Sequence, residues 1–94
     1  MAGKEFKAKI LLSGLVQGVG FRYFVMKHAH NLGLKGFVKN LMSGEVYVEV
    51  EGETYQIEDL FGKLKIGPRS AQVNDYSIEW EDAKNEFSTF EVRH

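Results

Sequence analysis

FKAKILLSGLVQGVGFRYFVMKHAHNLG, residues 6–33, changes its hydrophobic period once along its length, and that change points to a strand feeding a helix. Phe6, Ala8, Ile10 and Leu12 alternate with Lys7, Lys9, Leu11 and Ser13, the period of two expected of a strand with one buried face. Gly14 is expected to end that strand. Past a glycine-rich loop, Phe21, Phe24, Val25, His28, Ala29 and Leu32 recur every three or four residues, which predicts a helix with an apolar stripe. Gly33 supplies a left-handed stop, with Leu34 placed for the hydrophobic contact that goes with it.

Residues 35–41 and 45–51 then read as two strands of a hairpin joined by Met42, Ser43 and Gly44. Val46, Val48 and Val50 are expected to face inward, and Glu45, Tyr47, Glu49 and Glu51 to form a solvated face on the other side. A second helix is expected from Thr54 as N-cap, burying Ile57, Leu60, Phe61 and Leu64 and stopped by Gly67 and Pro68. Gly62 lies inside it at a cost of roughly 1 kcal/mol relative to Ala. Tyr76, Ile78 and Trp80 alternate with Ser77, Glu79 and Glu81 as a fourth strand, and residues 87–92 form a short fifth. The order is βαββαβ, an α+β ferredoxin-like plait with two helices on one face of a four- to five-stranded, largely antiparallel sheet. Many unrelated functions use that fold, so it decides none of them.

Ninety-four residues with 44% hydrophobic content supply one core, and no repeat or linker interrupts them, so a single domain over 1–94 is expected. No cysteine is present, which excludes disulfides, thiolate catalysis and Cys-based zinc sites. Twelve basic residues against thirteen acidic ones, a net charge of -1, give no general field toward nucleic acid or anionic lipid. No run approaches the roughly 18 apolar residues of a membrane span, and the opening MAGKEFKAK has no apolar segment of the secretory kind. A cytoplasmic protein with no membrane and no nucleic-acid partner is expected.

The loop itself, Gly14-Leu15-Val16-Gln17-Gly18-Val19-Gly20-Phe21-Arg22, has the makings of an anion site. Gly18 and Gly20 let the backbone curl so that successive N–H groups converge, and the helix start behind them adds free donors and a positive dipole end. Arg22 adds a planar, permanently charged fork. The same residues also fit a plain tight turn beside a solvated arginine, and spacing alone does not decide between the two. No Gly-Lys-Ser/Thr follows, and Tyr23 stands where GxGxxG needs its third glycine, so a small phosphate group suits the loop better than a nucleotide.

VQGVGFR, residues 16–22, resembles the signature of the acylphosphatase family. GFVKN, residues 36–40, with Gly44, Val46 and Gly52 behind it, resembles that family's second motif, while GPRSAQV at 67–73 and FEV at 90–92 extend the likeness over nearly the whole chain. Met42 and Ser43 depart from the Pro-Asp that many members carry in the hairpin turn. The resemblance implies hydrolysis of small acyl phosphates to a carboxylate and inorganic phosphate by a monomer, with no metal, cofactor or covalent intermediate. It implies Arg22 as the phosphate-binding arginine and Asn40 as the residue that orients the attacking water. Backbone amides of Gln17, Gly18, Val19, Gly20, Phe21 and Arg22 would cradle the phosphate, and the last strand would lie beside the second.

His28 and His30 sit two apart, on different sides of a helix, and so do not form the paired ligands of a metal site. Phe21, Phe24, Phe37 and Trp80 are expected in the core, and Lys35 and Lys39 as solvated lysines. Two other functions share features with this sequence. An RNA-binding RRM shares βαββαβ, and Lys35-Gly36-Phe37 opens like its KGF motif, but the later aromatics and the basic charge are missing. A noncatalytic phosphate-binding module of the same family, as precedes zinc-finger segments in hydrogenase-maturation carbamoyltransferases, is the other; no such segments follow here.

Overall fold

Strand pairing shows how the two half-plaits interlock. In the computed structural model, which describes residues 4–94, the order is β1 (Glu5–Leu15), α1 (Phe21–Asn31), β2 (Lys35–Asn40), β3 (Val46–Glu53), α2 (Thr54–Ile66), β4 (Gln72–Asp82) and β5 (Phe90–Arg93). The first three residues of the domain expected over 1–94 lie outside the described residues. The sheet runs β4-β1-β3-β2-β5, antiparallel throughout except for the parallel pair β2 and β5. This is the expected ferredoxin-like plait with a fifth strand beside the second.

Alternation puts Ala8, Ile10, Leu12, Val38, Val46, Val48 and Val50 on one face, all fully buried. Onto it α1 lays Phe21, Val25 and Ala29, and α2 lays Ile57, Leu60 and Leu64. Each Val, Leu, Ile or Phe side chain among these contributes on the order of 1.5–3 kcal/mol when fully buried. α1 covers β2 and β5, while α2 covers β1, β3 and β4, so the start of α1 reaches the end of β2. Gly33 takes the left-handed conformation just past α1, φ 73°, as expected of a stop.

Several expectations are corrected. Gly14 does not end β1: the strand bulges between Ser13 and Gly14 and keeps pairing with β4 as far as Leu15 opposite Gln72. That pairing also starts β4 at Gln72, although Asn74 and Asp75 carry no strand signal of their own. The N-cap of α2 is Glu53, not Thr54, in a reciprocal capping box whose other half is Gln56, with the Glu53 N–H donating to Gln56 Oε1 at 3.0 Å. Trp80 is not in the core; it is 41% exposed on edge strand β4, edge-on to Phe6.

The far face of the sheet is not simply solvated. Glu51 is buried there and accepts from the backbone N–H groups of Lys84, Asn85 and Glu86, at 2.7, 3.2 and 3.3 Å. Lys7, also buried, pairs with Glu49 at 2.9 Å and Glu86 at 2.7 Å. Burial opposes the charge on Lys7, but its hydrogen bonds to Glu86 and Glu49 outweigh that and hold the ammonium above its ordinary value. Phe37 is buried on this face rather than in the core, with Phe87 5.8 Å and Tyr47 6.0 Å from its ring centre. The segment between β4 and β5 has thus folded back over the glutamate row.

Candidate active site

Val16, fully buried, pins the loop between β1 and α1 to the core, and the chain then turns through Gly18 at φ 75° and Gly20 at φ 76°. Both conformations lie in the left-handed region that side chains with a Cβ resist. Gly20 is the N-cap of α1, with no side chain to occupy the helix's first amides. The first helical bond runs from Phe24 N–H to Gly20 O at 3.1 Å, so the amides of Phe21, Arg22 and Tyr23 have no helical acceptor. Such donors beside left-handed glycines make a site for an anion.

A cavity of about 110 Å³ opens here, lined by Val16, Gly18, Gly20, Phe21, Arg22, Tyr23 and Asn40. Asn40 arrives from the last position of β2, and alternation with Val38 places it on the helix-covered side. Its Oδ1 is buried and has no hydrogen-bond partner among the described residues. Arg22 stands in the first turn of α1 and uses one nitrogen, Nη1, which lies 3.3 Å from Arg93 O and 3.0 Å from His94 Nδ1.

The structure therefore brings Arg22, Asn40, Gly18, Gly20 and Phe21 to one cavity wall. Val19 packs against the core instead, and the Gln17 side chain turns to the hairpin, donating to Leu41 O at 2.7 Å and Glu45 O at 2.9 Å. Sequence reading missed Tyr23 and Val16 as lining residues, and it set His94 aside as merely terminal. No local pattern marks His94; only the parallel pairing of β5 with β2 brings it here. Lys39 points to the opposite sheet face, its Nζ 5.9 Å from the Phe37 ring centre and 6.0 Å from that of Tyr47.

Both helical histidines have other partners. His28 packs edge-on against Phe24 at 4.5 Å, and burial, with Lys63 and Lys27 nearby, holds its imidazole below the ordinary value. His30 donates from Nε2 to Phe90 O at 2.8 Å, tying α1 to the start of β5.

The acylphosphatase family model matches residues 8–92. The chain belongs to the acylphosphatase family. An acylphosphatase of Salinibacter ruber is 40% identical over 91 residues, spanning 97% of this chain and 96% of that one. The crystal structure of acylphosphatase from Bacillus subtilis superposes with a TM-score of 0.91 at 31% identity, over 95% of this chain and 99% of that one. Full-length HypF, in its phosphate- and nucleotide-bound form, contains a similar unit: TM-score 0.89, 35% identity, 97% of this chain but 12% of HypF. As a member of the acylphosphatase family, the chain hydrolyses small acyl phosphates at the carboxyl–phosphate bond. No helix among the described residues is long and apolar enough to cross a membrane.

Proposed function

We propose that Arg22 and the amides of residues 17–22 hold the phosphoryl group while Asn40 orients the water that attacks phosphorus. The observation that carries this reading is the unpartnered, buried Oδ1 of Asn40 in the same cavity wall as Arg22 and the two loop glycines. An acyl phosphate has a good leaving group, and its transition state is loose, so positioning and charge stabilisation suffice. Converging amides and one guanidinium meet the charge on the three phosphoryl oxygens. The Asn40 amide accepts from one water and can donate to it as well, fixing its line of approach. Water oxygen bonds to phosphorus as the bond to the carboxylate oxygen breaks; the carboxylate leaves with the electron pair, and the water's proton passes to a phosphate oxygen.

The donor set suits an anion, and His28 and His30 are engaged elsewhere, which supports a reaction without metal, cofactor or covalent intermediate. Hydrolysis of benzoyl phosphate by the purified protein should persist in excess EDTA, with inorganic phosphate inhibiting competitively. Activity lost in EDTA and restored by Mg²⁺ or Zn²⁺ would overturn the metal-free mechanism; no hydrolysis at all would favour the noncatalytic phosphate-binding module. We further propose a cytoplasmic monomer that binds no nucleic acid. Phe37, the aromatic of the RRM-like segment, is roofed by Phe87, and the face around it carries Glu49, Glu51 and Glu81. Titration with single-stranded RNA at low salt, and sedimentation, test the two statements.

A further inference from the structure

We propose that His94 is a positioning residue for Arg22, steadying the guanidinium at the phosphate site through its ring Nδ1; this rests on Arg22 being the phosphate-binding cation. β5 runs parallel to β2 with Arg93 level with Lys39, so the residues that follow, His94 and Asn40, come to the same end of the sheet. The end of β5 is well anchored. The Arg93 guanidinium lies 4.0 Å from the Phe37 ring centre, and its Nε and Nη2 bond Glu91 at 3.2 and 3.0 Å.

From that anchor His94 presents Nδ1 to Arg22 Nη1 at 3.0 Å, and Arg93 O lies 3.3 Å from the same nitrogen. A guanidinium only donates, so Nδ1 must be the acceptor and the ring proton must sit on Nε2. One arm of the fork is tied to β5. Nε and Nη2 of Arg22 have no hydrogen bond among the described residues, which leaves a two-pronged edge for phosphate oxygens.

The test compares the parent with His94→Ala and His94→Asn, using sulfate, a tetrahedral dianion like the phosphoryl group, as the competitive probe. At pH 8, His94→Ala should weaken sulfate inhibition about threefold to tenfold, the size of one hydrogen bond. His94→Asn should restore it, since Oδ1 replaces Nδ1 as acceptor. In an Arg22→Ala background the His94 substitution should have no effect. Equal sulfate affinity in the parent and His94→Ala, or no recovery in His94→Asn, would overturn the proposal. Benzoyl phosphate hydrolysis by the parent at pH 8 reports separately on the catalytic assignment.

Discussion

The carboxamide of Gln17 donates to the carbonyl of Leu41 at 2.7 Å, tying the loop between β1 and α1 to the residue that follows Asn40. The same nitrogen reaches Glu45 O at 2.9 Å, so one side chain spans both ends of the hairpin turn. The loop that carries Gly18 and Gly20 and the end of β2 that carries Asn40 are thereby held in one frame.

That bridge should matter to both folding and rate. Gln17→Ala removes two hydrogen bonds and should cost about 1–3 kcal/mol of stability, with kcat lowered further as the loop and Asn40 drift apart. Gln17→Glu should be worse, because a carboxylate offers no donor and faces two carbonyls. Urea unfolding and steady-state kinetics on both variants provide the check; a fully active Gln17→Glu would deny the bridge any role.

Arg22 and Asn40 should separate kinetically. Arg22→Ala should weaken phosphate binding as well as turnover, and Arg22→Lys should rescue little, since an ammonium lacks the planar fork. Asn40→Ala should lower kcat by about 10²-fold or more with phosphate affinity nearly intact, as for loss of one preorganised polar group. Phosphate titration of the folded variants distinguishes the two. Near-normal kcat in Asn40→Ala would remove it from the mechanism.

Glu51 should be a stability residue with no part in catalysis. Its carboxylate satisfies three backbone amides of the segment over the far face, and Glu51→Ala leaves them without that acceptor. A loss of about 2–4 kcal/mol is expected, with kcat unchanged at temperatures where the variant stays folded. Thermal melts paired with activity at low temperature settle it.

Acid should destabilise the protein in two windows. Burial lowers the His28 pKa in the folded state below its ordinary 6.5, so the stability it contributes is present above that value and falls away as pH drops below it. For Glu49, burial opposes ionisation, but the Tyr47 hydroxyl at 2.7 Å and Lys7 at 2.9 Å prevail and hold the carboxyl below its ordinary 4.5. Its contribution is present above 4.5 and is lost as pH falls from there through the lowered folded value. Unfolding free energies measured from about pH 8 to about pH 3 should lose the upper window in His28→Gln and the lower one in Glu49→Gln.

Periodicity alone made the βαββαβ order legible, and the two family-like motifs singled out Arg22 and Asn40, which line one cavity in the fold. Alternation even placed Asn40 on the helix side through Val38. What stayed hidden depends on pairings distant in sequence. A period of two says that Phe37 and Glu51 face away from Val38 and Val50, but not that residues 83–89, which have no periodicity, return to cover them. Trp80 reads as core because its size outweighs its position, and only the strand order shows that β4 is an edge. Nothing near His94 in sequence marks it as a neighbour of Arg22.

The place of β1 in the sheet also governs when the protein can fold. Its two neighbours are β3 and β4, and its register sets Phe6 opposite Gly52 on one side and Asp82 on the other. During synthesis, the first strand made must wait for nearly the last one before its second edge is covered. Such non-local closure slows folding and prolongs exposure of an apolar strand. A ribosome-bound chain truncated before β4 should therefore remain open to proteases and to chaperones that bind extended apolar segments, and protection should appear only once residues 72–82 have emerged.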